Sequence, residues 1–212
     1  TPCGTLFPYT TLFRSVTGVV SRKKLLKNSG AKDGDVLILT RALGTGILSQ
    51  AAKNHLLNQN SIDNLTNHMA KLNKNIAEVL ADFNISACTD VTGFGLLGHL
   101  CEMMQGSAKT AVIDHRQIPV LENVEKMVRM SMIPKGFFGN EKFFETYTAW
   151  KSEITQTMKK ILYDPQTSGG LLFSLSAKEA ESLLRRLEDN GEKEVKIIGK
   201  VVEQREKLIF VE

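Results

Sequence analysis

The chain has 212 residues, 42% of them hydrophobic, and its 27 basic and 23 acidic side chains leave a net charge of +4. That apolar fraction is enough to bury a full core in one domain, or in one domain with appendages. No stretch approaches the roughly 18 to 20 uninterrupted apolar residues of a membrane-spanning helix, and charges of both signs are spread along the chain, so neither a membrane nor a nucleic acid is expected as a partner.

Residues 1–15 differ in character from the remainder of the chain. Phe7 to Ser15 reads like a translated sequencing adapter, and the whole segment is expected to be a non-native leader outside the fold. Pro8 and Arg14 interrupt any signal-peptide core, so a cytoplasmic location is expected. Cys3 lies in that leader, and Cys88 and Cys101 have no CxxC spacing, as suits reduced thiols.

From residue 16 onward the pattern is that of one domain, 16–212. Residues 36–39 predict a buried strand, and 46–55 a helix opened by a Gly-Thr-Gly turn. Residues 64–81 carry Leu65, Met69, Leu72, Ile76, Val79 and Leu80 at helical spacing and predict one amphipathic helix. Residues 85–88 read as extended, 95–105 as an apolar helix stopped by Gly106, and 111–114 as a strand. A helix is expected over 120–130, an irregular stretch over 133–144 because of Pro134, Gly136 and Gly139, and a helix over 151–163. Residues 171–175 predict a strand, and 177–190 a helix closed by Gly191. Strands at 195–202 and 207–211 are expected to form a hairpin through Glu203 to Glu206. Strands and helices interleave without strict βαβ order, which favours an α+β layered domain with a mixed sheet.

Three glycine turns carry the chemistry. In Thr89-Asp90-Val91-Thr92-Gly93-Phe94-Gly95-Leu96-Leu97-Gly98-His99, an acid at a strand end precedes a turn that opens an apolar helix. Asp90 could offer its carboxylate to Mg²⁺, while Gly93 and Gly95 admit backbone N–H groups to phosphate oxygens. A helix N-cap role for Asp90 stands beside that reading. Arg41-Ala42-Leu43-Gly44-Thr45-Gly46-Ile47 follows one strand, and Asp164-Pro165-Gln166-Thr167-Ser168-Gly169-Gly170 precedes another. Asp164 is read first as a turn-fixing acceptor of backbone N–H groups and second as a metal ligand. His99 on its apolar helix is read as packed, Cys88 as core, and the methionines and phenylalanines of 103–144 as packing.

These strings, in this order, resemble the C-terminal domain of selenophosphate synthetase, the selenide, water dikinase family. Val16 to Val19, Asn28 to Lys32, Leu43 to Ile47, Asp90 to His99 and Asp164 to Leu172 carry the resemblance, which covers nearly all of residues 16–212. It implies the PurM-like C-terminal fold, and an enzyme that converts selenide, ATP and water into selenophosphate, AMP and orthophosphate with Mg²⁺ and commonly a monovalent cation. It also implies a homodimer of the full-length protein, and Asp90 as a Mg²⁺ ligand. Gly44, Thr45 and Gly46 are expected near the phosphates on turn chemistry alone. The catalytic residues themselves belong to the family's N-terminal half, which is not in this sequence, so the chain by itself is expected to be inactive. Ala42 stands where the family has proline, and 133–140 follows the family's Pro-x-Gly-x-x-x-Asn stretch only loosely. A non-catalytic domain of the same fold that binds a phosphate ligand or a partner, or another PurM-like ATP-dependent enzyme, is the alternative.

Overall fold

The computed structural model describes residues 19–21 and 25–212; the expected leader and the start of the first matching string lie outside the described residues. Among the described residues, seven strands form one mixed sheet: β1 (Asp35–Leu39), β2 (Ile85–Asp90), β3 (Lys109–Ile113), β4 (Thr148–Trp150), β5 (Leu171–Ser176), β6 (Lys196–Glu203) and β7 (Ile209–Val211). Their spatial order is β2-β5-β1-β6-β3-β7-β4. Pairing is antiparallel except where β7 runs parallel to both β3 and β4.

The helices that cover the sheet are α1 (Thr45–Lys53), α2 (Gln59–Ala70), α3 (Lys74–Leu80), α4 (Gly95–Ser107), α5 (Val124–Arg129), α6 (Lys135–Phe144), α7 (Gln156–Leu162) and α8 (Ala177–Asp189). Alternation along β1 sends Leu37 and Leu39 into the larger core, with α1, α4, α5 and α7. Ile38 points the other way, into a smaller core with α3 and α8. A strand covered on both faces is continuously apolar, as this run is. The α8 helix buries Ala180, Leu183 and Leu187 at helical spacing, starts at the Ser176 cap, and ends before Gly191 at φ +83°, a backbone region natural to glycine.

The layered α+β expectation therefore holds, but α4 runs through Gly106 to Ser107, the helix expected over 120–130 is only α5 at 124–129, and four larger corrections follow. The single helix expected over 64–81 is two helices, α2 and α3, broken at 71–73. Leu72 there is 74% exposed, and the Asn73 side chain is drawn to the Gly169 carbonyl. The stretch expected to be irregular, 133–144, is α6: Pro134 occupies its N-cap and not its interior, where proline does no harm. The helix expected over 151–163 is shorter, because Thr155 caps α7 and the helix begins only at Gln156; residues 148–150 just before the expected span form β4. Finally, β6 and β7 do not form a hairpin. Strand β3 lies between them, and the Thr110 hydroxyl pins the connection by donating to the Lys207 carbonyl and accepting the Arg205 amide.

Candidate functional site

The three glycine turns meet at one end of the sheet, where β1 leads into α1, β2 into α4, and the 164–170 loop into β5. Asp164 is fully buried. Its Oδ2 accepts the amides of Gly46 at 3.1 Å and Ile47 at 3.3 Å and the Gln166 side-chain amide at 3.0 Å. Oδ1 has no hydrogen-bond partner among the described residues. Burial pushes this carboxyl up to about 7, against the pull of those three donors, since removing a carboxylate from water disfavours its charged form.

Gln166 completes the cap of α1. Its Oε1 accepts the amides of Gly44 at 3.0 Å and Thr45 at 3.2 Å and the Thr45 hydroxyl at 3.1 Å, and that hydroxyl in turn accepts the Thr167 amide at 2.8 Å. The amides of Gly44, Thr45 and Gly46 are thus engaged inside the protein by Gln166 and Asp164, and all three residues are buried. The orphan N–H groups of a helix start have been satisfied by side chains, so they are not turned outward to a phosphate.

Asp90 is placed differently. It ends β2 opposite Leu171 and is exposed, and among the described residues no group donates to its carboxylate. It does not cap α4, whose N-cap is Phe94 with no side-chain cap bond. Its loop is nonetheless held from three directions. The Val91 amide donates to the Gly170 carbonyl at 2.9 Å, the Gln166 amide to the Thr92 carbonyl at 2.9 Å, and the Asn140 side chain to the Gly93 carbonyl at 2.9 Å. Gly95, at φ +70°, could carry no Cβ without pressing on the Tyr163 carbonyl at 2.9 Å.

His99 is buried, hydrogen-bonded through Nε2 to the Thr92 hydroxyl at 3.1 Å and 3.4 Å from Glu102. Burial lowers its pKa against the pull of Glu102 and Asp90. Phe137 and Phe144 pack in the core, but Phe143 (63% exposed) and Phe94 (49% exposed) do not. They border a hollow of about 600 Å³ that Asn140 also lines. Among the described residues no three His, Cys, Asp or Glu side chains group as a metal site.

Three residues in these contacts are not among the site residues expected from sequence. Gln166 and Asn140 are both buried amides. Arg41 is buried too, and donates Nη1 to the Ser168 carbonyl at 3.2 Å, bracing the 164–170 loop from the β1 side. Gln166 and Arg41 lie inside the glycine-turn strings; nothing in the spacing singles out their side chains.

Comparison with known proteins places the chain in a family. The family of AIR synthase related proteins, C-terminal domain, matches residues 32–211. "Selenide, water dikinase 2" of Peptoclostridium acidaminophilum is 42% identical over 197 residues, 93% of this chain and 56% of that protein. "Selenide, water dikinase" of Clostridium botulinum (strain Eklund 17B / Type B) is 42% identical over 196 residues, 92% of this chain and 56% of that protein. The chain thus spans little more than half the length of these curated relatives. Among solved structures, thiamine-monophosphate kinase from Stenotrophomonas maltophilia K279a superposes with a TM-score of 0.63 at 17% identity, over 91% of this chain and 54% of that one. The hydrogenase maturation protein HypE in complex with ATP does so with a TM-score of 0.61 at 18% identity, over 88% of this chain and 50% of that one. At such identities the likeness is one of fold.

Proposed function

Because the chain belongs to the family of AIR synthase related C-terminal domains, we propose that it is the C-terminal part of a selenide, water dikinase, forming selenophosphate, AMP and orthophosphate from selenide, ATP and water. The observation that carries this reading is the placement of Asp90: an exposed carboxylate to which no described residue donates, on a loop held by buried hydrogen bonds, in the string that bears the family resemblance.

One such carboxylate suits Mg²⁺, which keeps several waters and is commonly held by one or two carboxylates together with substrate phosphates. When bound, the ion would neutralise charge on the polyphosphate. Asp90 would hold one side of it, and the remaining ligands would come from ATP, water and the family's N-terminal half, as would the reactive chemistry. Asp164 and Gln166 act as the backing of the site: they fix Gly44, Thr45 and Gly46 and keep the β1 and β5 loops in register. A monovalent cation and a homodimer of the full-length protein complete the proposal. Its compartment is the cytoplasm, supported by the free thiols of Cys88 and Cys101.

The test is selenophosphate formation followed by ³¹P NMR, with residues 16–212 joined to the N-terminal half of a relative, comparing the wild-type domain with Asp90→Ala. Loss of product in the variant, with folding intact, is the expected result. Equal product from both removes Asp90 from the site, and no product from either, in a folded protein, favours a non-catalytic binding domain. Since no described residue donates to the Asp90 carboxylate, Asp90→Ala should shift stability by no more than about 0.5 kcal/mol, the usual range for a surface change.

A further inference from the structure

Asn140 is 7% exposed and sits in α6, a helix in a segment whose sequence pattern predicts irregular chain. Its Nδ2 donates to the Gly93 carbonyl at 2.9 Å and to the Tyr163 carbonyl at 3.0 Å. With two carbonyl oxygens as partners, the orientation of the amide is fixed, because its flipped form would set oxygen against oxygen. Gly93 lies three residues after Asp90, and Tyr163 immediately precedes Asp164. One side chain on a third element therefore ties the exposed-carboxylate loop to the loop that caps α1. The helix is seated for this task by Gly136, where a Cβ would press on the Pro165 ring at 2.8 Å.

We propose that Asn140 is a positioning residue: by gathering the Gly93 and Tyr163 carbonyls it sets where the Asp90 carboxylate stands relative to the 164–170 loop, and so how well that carboxylate holds a divalent cation. The metal half of this inference rests on the reading of Asp90 as a Mg²⁺ ligand; the positioning half rests on geometry alone. Removing a group that orients a metal ligand weakens metal binding without touching the metal.

The decisive variant is Asn140→Asp, nearly the same shape but unable to donate when ionised. Two readouts are taken on the full 212-residue chain by NMR. Amide hydrogen exchange is followed at Val91, Gly95 and Gln166, with Leu183 and Leu187 of α8 as controls, and Mn²⁺ is titrated while paramagnetic broadening is read at residues 90–94. The expected result is exchange about tenfold faster at the three loop amides and unchanged in α8, with at least about tenfold more Mn²⁺ needed for equal broadening. Loop amides that exchange as in the wild type would overturn the proposal. So would faster exchange with an unchanged Mn²⁺ requirement, which would make Asn140 structural only. If Mn²⁺ leaves residues 90–94 of the wild type sharp, the metal reading of Asp90 fails, and exchange alone decides whether Asn140 positions the loop. Should Asn140→Asp not fold, Asn140→Ala removes the same two donors and is held to the same outcomes.

Discussion

The Asp164 carboxylate accepts the Gly46 amide at 3.1 Å, and a Cβ on that glycine would stand 2.5 Å from the other carboxylate oxygen. Acid and glycine occupy one another's space, so the β1–α1 turn and the 164–170 loop have to be built together.

Gly46→Ala should therefore destabilise the chain by roughly 1 to 3 kcal/mol, since neither the buried carboxyl nor the Pro165 backbone can yield cheaply. Gly139→Ala is the contrast. That glycine lies inside α6 with open space where a Cβ would go, so alanine should stabilise by about 0.5 to 1 kcal/mol through helix propensity. Urea denaturation of the two variants measures both, and a Gly46→Ala chain as stable as the wild type would show that the two loops are not interlocked.

Asp164 also makes stability depend on pH. Its carboxyl is raised to about 7 when folded and lies near 4 when unfolded. Between those values the folded chain holds a proton that the unfolded chain has released. The stabilising contribution is thus complete below about pH 4 and is lost as pH climbs toward 7, by roughly 2 to 4 kcal/mol. Asp164→Asn cannot titrate, so the stability difference between wild type and variant should slope through this window and flatten above it. A difference independent of pH would mean the carboxyl titrates normally.

The two described thiols should be inert. Burial pushes Cys88 up to about 12, helped by the nearby Asp90 charge, and Cys101 up to about 11. Since the thiolate is the reactive form, iodoacetamide at pH 8 should label both at least about tenfold more slowly in the folded chain than in urea. Peptide-resolved mass spectrometry separates them from Cys3; rapid labelling of Cys88 in the folded chain would favour a nucleophile over a core residue.

What the sequence disclosed was mostly what is local. The apolar run of β1 and the 3.6-residue period of α8 are properties of consecutive residues, and both elements lie where expected. Sheet order is not local: β6 and β7 are neighbours in sequence, yet β3 takes the place between them because it satisfies both edges. The helix α6 was hidden by Pro134 and two glycines: proline does no harm at the N-cap, Gly136 packs on Pro165, and Gly139 is a helix-interior glycine that the helix tolerates. At the site, the three turns were legible as strings, whereas the inward direction of the Gly44–Gly46 amides depends on Gln166 and Asp164, more than a hundred residues away. The same holds for Asn140, whose meaning lies in two carbonyls on other elements.

The strand order also governs when this sheet can exist. Among the described residues, each of β1, β2, β3 and β4 pairs only with β5, β6 or β7, and none of those four pairs with another of the four. A nascent chain halted before Leu171 would present four strands without a single ladder between them, among them β1, whose two faces are both meant for a core. Loop-closure entropy must be met across most of the chain before any long-range pairing compensates it. The residues from Leu171 onward therefore complete every ladder of the described sheet, and until they are made the edges of the strands before them stay unpaired.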